Sequence, residues 1–158
     1  EALRLVIDQY DRPLNLVLTG HLSDQRVNEA VRKFGLQPRV LFAYNLSSNL
    51  LAMINQRAAL SVNPSLFEGG FPGTFGEAYS VGTPSVMSAI PATLETIADD
   101  ALRDLMLFDP YDVHAMADRI IFGLNNRSLL LQRQKQLYQS LPSWESVAGE
   151  YLDCFGFK

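Results

Sequence analysis

Short apolar runs alternate along this chain with segments whose apolar residues recur every three or four positions. Leu14–Leu18 (LNLVL) is nearly continuous and leads to Gly20, the pattern of a buried strand. Val40–Ala43 and Ala58–Val62 read the same way, as do Ser85–Met87 after Gly82-Thr83-Pro84 and Leu105–Phe108 before Asp109-Pro110. The segments between them have helical periods. Ala2, Leu3, Val6, Ile7 and Tyr10 share one face of a first helix. Val27, Ala30, Val31 and Phe34 mark a second, with Ser23 as its N-cap and Gly35 as its stop. Leu46, Leu50 and Ile54 stripe a third. No strand is expected after Asp109. Val113, Met116, Ala117, Ile120 and Leu124 predict a helix capped by Asp112. Trp144, Val147, Ala148, Tyr151, Leu152 and Phe155 predict a last helix capped by Ser143.

Strands that alternate with helices and are apolar throughout predict an α/β domain with a doubly wound, Rossmann-like parallel sheet. Residues 1–158 read as one domain, with C-terminal helices over 111–158. In such sheets ligands sit at the carboxyl ends of the strands. A doubly wound unit normally starts with a strand, whereas this chain starts with a helix. The expectation is therefore a strand upstream of Glu1. The opening Glu1-Ala2-Leu3-Arg4, with no initiator methionine and no apolar leader, likewise reads as part of a longer polypeptide.

Composition narrows the function classes. A chain of 158 residues can bury roughly 68–70% of its unfolded surface, enough for a core without staples. Thirteen Lys and Arg stand against 17 Asp and Glu, for a net charge of −4. That balance argues against a nucleic-acid partner, whose phosphates select a basic face, but one local site can still hold a small phosphorylated ligand. Cys154 is the one cysteine, which excludes an internal disulfide framework and suits a reducing compartment. The longest apolar runs, such as Val40–Tyr44 and Leu50–Ile54, fall far short of the ~20 residues of a membrane helix, so no transmembrane segment is expected.

The segment with the most chemistry is Asn63–Ser85, NPSLFEGGFPGTFGEAYSVGTPS. It follows a predicted strand and enters a predicted helix, and Gly69, Gly70, Gly73 and Gly76 crowd its turn. Glycine lets backbone approach a ligand closely, and a helix N-terminus offers free N–H groups to an anion. A diphosphate would fit such a loop; a tight turn with no ligand fits the same pattern. Glu77 completes a capping-box spacing with Thr74, so helix capping competes with any ligand role. Glu68, ahead of the glycines, could accept hydrogen bonds from sugar hydroxyls or simply be a solvated loop carboxylate. His21 and His114 are too few and too far apart for a metal site. His21 could line a cleft at a strand end, while His114 reads as a surface residue. No metal and no cofactor are expected. Cys154 reads as packing beside the last helix's apolar stripe.

Taken in order, Pro64-Ser65, Glu68 to Phe71, Glu77-Ala78, Gly82-Thr83-Pro84, Ile90-Pro91 and Phe108-Asp109-Pro110 closely resemble the C-terminal half of family-4-type (group 1) glycosyltransferases of the GT-B fold. The resemblance covers nearly the whole chain. It implies a domain that binds a nucleoside-diphosphate sugar, with UDP the family's most frequent nucleotide and GDP next. Glu77 would hold the ribose hydroxyls, and Glu68, the catalytic candidate, would contact the transferred sugar. The loop Gly69, Gly70, Phe71, Pro72, Gly73, Thr74 and Phe75 would meet sugar and diphosphate through its amides. Ala43, Tyr44, Asn45 and Leu46 would lie against the base. The competition at Glu77 then tips towards ribose.

The sequence departs from the family pattern at three points. Gly69–Gly76 puts eight residues between the two glutamates where seven are usual, so a bulged loop is expected. The family's first strand, with the Arg and Lys that neutralise the diphosphate, has no counterpart here. Ala89 stands where an acidic residue is common. The implied reaction is metal-free glycosyl transfer with retention, to a saccharide or lipid-linked acceptor held by an N-terminal domain. The setting implied is cytoplasmic or peripheral to a membrane's inner face. An epimerase or phosphorylase of the same fold, or a non-catalytic Rossmann-like binding module, are the rival expectations.

Overall fold

A computed structural model describes residues 1–19 and 25–156. Its strands are β1 (Leu16–Thr19), β2 (Val40–Ala43), β3 (Ser61–Asn63), β4 (Ser85–Ser88) and β5 (Leu107–Phe108). The helices are α1 (Ala2–Gln9), α2 (Gln25–Lys33), α3 (Ser48–Arg57), α4 (Gly73–Ser80), α5 (Pro91–Thr96), α6 (Asp100–Met106), α7 (Val113–Asn125), α8 (Arg127–Ser140) and α9 (Trp144–Cys154). Every strand pairing is parallel, as the α/β reading requires. The expected single sheet is divided into a pair, β1-β2, and a triplet, β3-β4-β5. Leu16 registers with Val40 in the pair, and Val62 with Val86 in the triplet.

Burial follows the sheet. All four residues of β4 are buried, as befits the middle strand of the triplet. Phe75, Val86, Met87, Ile97, Met106 and Leu130 form the centre of the core around it. Each such side chain removed from water stabilises the fold by roughly 1.5–3 kcal/mol. A second cluster joins α1 to α7 through Ala2, Val6, Ala117 and Leu124. At Gly123 of α7 an added Cβ would lie 2.9 Å from Leu60 Cδ1 and 3.3 Å from Val86 Cγ1, so glycine sets how closely this helix approaches the sheet.

Several elements differ from the sequence expectation. The Leu105–Phe108 strand is cut to Leu107–Phe108 because α6 runs on to Met106. That helix is capped by Asp99, whose Oδ1 accepts from Ala101 N–H at 2.9 Å and Leu102 N–H at 3.3 Å. The Ala58–Val62 strand starts only at Ser61, since Ala58 closes α3. Leu46 lies ahead of α3 rather than on it, because Ser47 is the cap and its hydroxyl accepts from Leu50 N–H. Val27 and Val31 of α2, and Phe34 just beyond it, are half-buried, and Ala30 is exposed. The proposed cap Ser23, together with Gly20 and His21, lies outside the described residues.

The helix expected at the C-terminus forms, capped by Ser143, but its apolar stripe is not core. Trp144 is 87% exposed and Phe155 72%. Tyr151 and Leu152 are exposed too, and so is Cys154. Amphipathic spacing selects a helix face but does not supply a partner to cover it.

Candidate functional site

The connection from β3 to α4 is held in shape by its own side chains. Asn63 ends β3, where its Oδ1 accepts from Ser65 N–H at 3.1 Å and its Nδ2 donates to Thr74 Oγ1 at 3.0 Å. The strand end is thereby tied to both ends of the loop. An asparagine suits this because its amide is donor and acceptor at once. Ser65 Oγ in turn donates to Glu68 Oε1 at 2.7 Å. Glu68 is therefore a half-buried, oriented carboxylate rather than a freely solvated one. The sequence reading gave Asn63 and Ser65 no role, although Asn-Pro-Ser at a strand end is an Asx-turn signal.

The loop closes on an aromatic anchor. Pro72 and Phe75 are buried, and Phe71 meets Phe75 edge-on at 5.5 Å between ring centroids. Phe75 stacks on Tyr79 at 5.9 Å, and Tyr79 packs on Tyr138 of α8 at 4.6 Å. The Tyr79 hydroxyl donates to the Leu131 carbonyl at 3.2 Å. Rigidly mounted helices position a site better than loops do. Between the anchors, Gly69, Gly70 and Gly73 are exposed, with open space where a Cβ would stand.

The capping-box expectation is overturned. Helix α4 starts at Gly73 behind Pro72, whose φ of −61° sets the helical entry, and no side chain caps it. Thr74 is thus the second helical residue, and its hydroxyl receives Asn63 rather than capping the helix. Glu77 falls at the fifth position, too far along to bond back to a cap. It is exposed, and its carboxylate makes no hydrogen bond among the described residues. The Phe75 amide is committed to the Pro72 carbonyl at 3.1 Å. Gly73 and Thr74, as the first two helical residues, carry N–H groups that the helix itself cannot pair.

The segment Ala43 to Leu46 lies at the carboxyl end of β2, just before the N-terminus of α3. Tyr44 is exposed and stacked over Phe42 at 6.2 Å. Asn45 takes a left-handed conformation, φ +50°, that turns the chain into the Ser47 cap. Helices α3 and α4 pack together, and the Thr83 hydroxyl donates to the Asn55 carbonyl at 2.5 Å across that contact. Both candidate segments therefore stand at strand carboxyl ends, ahead of adjacent helices. His114 is exposed at the start of α7. Among the described residues no helix is long and apolar enough to cross a membrane.

The chain's likenesses to known proteins are consistent in kind. A family model described as "Glycosyl transferases group 1" matches residues 1–126. No curated protein matches the chain. Among solved structures, sucrose-phosphate synthase from Thermosynechococcus elongatus superposes with a TM-score of 0.76 at 24% identity, over 98% of this chain and 40% of that one. A variant of TarM from S. aureus, solved with fondaparinux, alpha-GlcNAc-glycerol and UDP, gives 0.78 at 20% identity, over 98% of this chain and 31% of that one. Anabaena HepE in complex with UDP and glucose gives 0.69 at 17% identity, over 87% and 39% respectively. At such identities the likeness shows the fold. The chain spans no more than 40% of the length of these three structures.

Proposed function

The chain belongs to the group 1 glycosyl transferases, and on that premise we propose that it is the donor-binding half of a retaining glycosyltransferase. Its fold is that of the C-terminal domain of GT-B glycosyltransferases. The observation that carries the reading is the Asn63-tied loop. It sets an oriented carboxylate, Glu68, and one with no partner among the described residues, Glu77, on either side of exposed glycines at a helix start.

Each group then has a task. The Glu77 carboxylate accepts from two ribose hydroxyls. The N–H groups of Gly73 and Thr74 face the diphosphate, where a helix N-terminus is favourable to an anion. Glu68, held by Ser65, orients the transferred sugar and stabilises positive charge growing at its anomeric carbon. The segment Ala43 to Leu46, with the exposed Tyr44 ring, lies against the base. The donor is a nucleoside-diphosphate sugar, with UDP the first nucleotide to try, since two of the solved likenesses carry it.

Catalysis in this reading is stabilisation of the leaving diphosphate. Prearranged N–H donors lose no reorganisation energy as negative charge develops on it. The acceptor, a saccharide or lipid-linked saccharide, is bound by parts of the protein beyond this chain. An NMR titration with UDP tests the site: the amides of Gly69, Gly70, Gly73 and Thr74 are expected to shift and saturate together. Saturable shifts confined to the cleft lined by Ala2 of α1, Ala30 of α2 and Met116 of α7 would contradict it.

A further inference from the structure

Helix α4 carries the candidate site on one side and its mounting on the other. Along its two turns Gly73, Glu77 and Ser80 share an exposed face, while Phe75, buried, and Tyr79, half-buried, share the opposite one. The mounted face meets α8. There the Tyr79 ring packs on Tyr138 at 4.6 Å, and its hydroxyl donates to the Leu131 carbonyl at 3.2 Å. α8 is in turn rooted in the core by the buried side chains of Leu130 and Leu137.

The two kinds of contact constrain α4 differently. Apolar burial is non-directional, so the stack of Phe75, Tyr79 and Tyr138 keeps α4 against α8 through a small roll of the helix about its axis. A hydrogen bond weakens steeply away from its line, so the Tyr79 hydroxyl sets that roll. Its bond is partly buried, whereas the tie from Asn63 to Thr74 at the first turn is exposed, where water competes for it. A roll of about 20° carries a carboxylate lying about 5–6 Å from the helix axis through about 2 Å, well beyond the roughly 0.5 Å that a binding constellation tolerates.

We propose that Tyr79 is a positioning residue of the donor site: through its bond to the α8 backbone it fixes the direction in which Glu77 meets the nucleotide's ribose. On the donor-binding reading given above, Tyr79 stands on the far side of α4 from the ligand and acts through Glu77.

Tyr79→Phe keeps the ring and removes the hydroxyl. A double-mutant cycle on the full-length protein tests its role. Calorimetric titration with UDP, GDP and ADP is run on wild type, Tyr79→Phe, Glu77→Gln and the double variant. Tyr79→Phe is expected to weaken nucleotide binding by about three- to tenfold when Glu77 is present, and by less than about twofold where Glu77 is already replaced. A residue that only stabilises the fold costs the same factor in both backgrounds, and that result would overturn the proposal. Equal binding by Tyr79→Phe and wild type would overturn it too, while a loss in Glu77→Gln leaves the donor reading standing. If Glu77→Gln binds as wild type does, the donor reading falls and this proposal with it. NMR of the free protein gives a second readout that needs no ligand. The Gly73 and Thr74 amides, at the other end of α4, are expected to shift in Tyr79→Phe; shifts confined to the surroundings of Leu131 and Tyr138 would overturn the proposal.

Discussion

The side-chain amide of Asn63 donates to Thr74 Oγ1 at 3.0 Å and so fastens the end of β3 to the first turn of α4 across the whole candidate loop. The same side chain accepts from Ser65 N–H, and Ser65 holds Glu68. One asparagine thus sets the path of the loop and, at one remove, the direction of its carboxylate.

Replacing Asn63 by Leu is expected to cost about 1–3 kcal/mol, because the Ser65 amide and the Thr74 hydroxyl lose their partner. Asn63→Asp keeps the acceptor for Ser65 but cannot donate to Thr74, so it is expected to fall between Leu and wild type. Urea denaturation measures both, and nucleotide affinity is expected to fall in the same order. Equal affinity for all three proteins would detach Asn63 from the site.

Gln134 acts on the sheet in a comparable way. From α8 it donates to the Ser85 carbonyl at 2.6 Å and accepts from the Ser85 N–H at 3.1 Å, fully buried. These are the bonds a neighbouring strand would make, and β5 is too short to reach Ser85. Gln134→Leu leaves two buried backbone groups unpaired and is expected to destabilise the fold by about 2–4 kcal/mol. Gln134 hydrogen-bonds the Ser85 backbone and no residue of the loop, so nucleotide affinity well below the melting transition is expected to be unchanged.

Asp112 caps α7, and the N–H groups of Ala115 and His114 hold its carboxyl below its ordinary value of 3.8. A carboxyl depressed in the folded state stabilises the fold above its unfolded pKa and loses that contribution as pH falls through the folded one. The acid side of the melting profile, below about pH 4, is therefore expected to be steeper in wild type than in Asp112→Asn, which still caps but does not titrate. Thermal melts across that range check it.

Much of the fold was legible because strong local signals and tertiary packing agree. Val40–Ala43 is bounded as its apolar run suggests, and Asp112 and Ser143 cap the helices they precede. Where the reading failed, a second signal outranked the first. At Thr74 to Glu77 the capping spacing is present, but Pro72 sets the helix start at Gly73, one residue before Thr74. At Leu105 an apolar run resembled a strand, but Asp99 had already capped a helix through it. On α9 the stripe predicts a helix and not its neighbour. At the candidate site the glycines and the two glutamates were visible in the sequence. The tie from Asn63 to Thr74 spans eleven residues and is settled only by folding.

The central proposal is that the Glu77 carboxylate, which has no hydrogen-bond partner among the described residues, is the group that holds a nucleotide's ribose. Calorimetric titration with UDP, GDP and ADP, run on wild type and Glu77→Gln, tests it most directly. The account predicts binding of one nucleotide, weakened by about tenfold or more in Glu77→Gln, with the melting temperature unchanged. A Glu77→Gln protein that binds as wild type does, or that loses melting temperature without losing affinity, would contradict it.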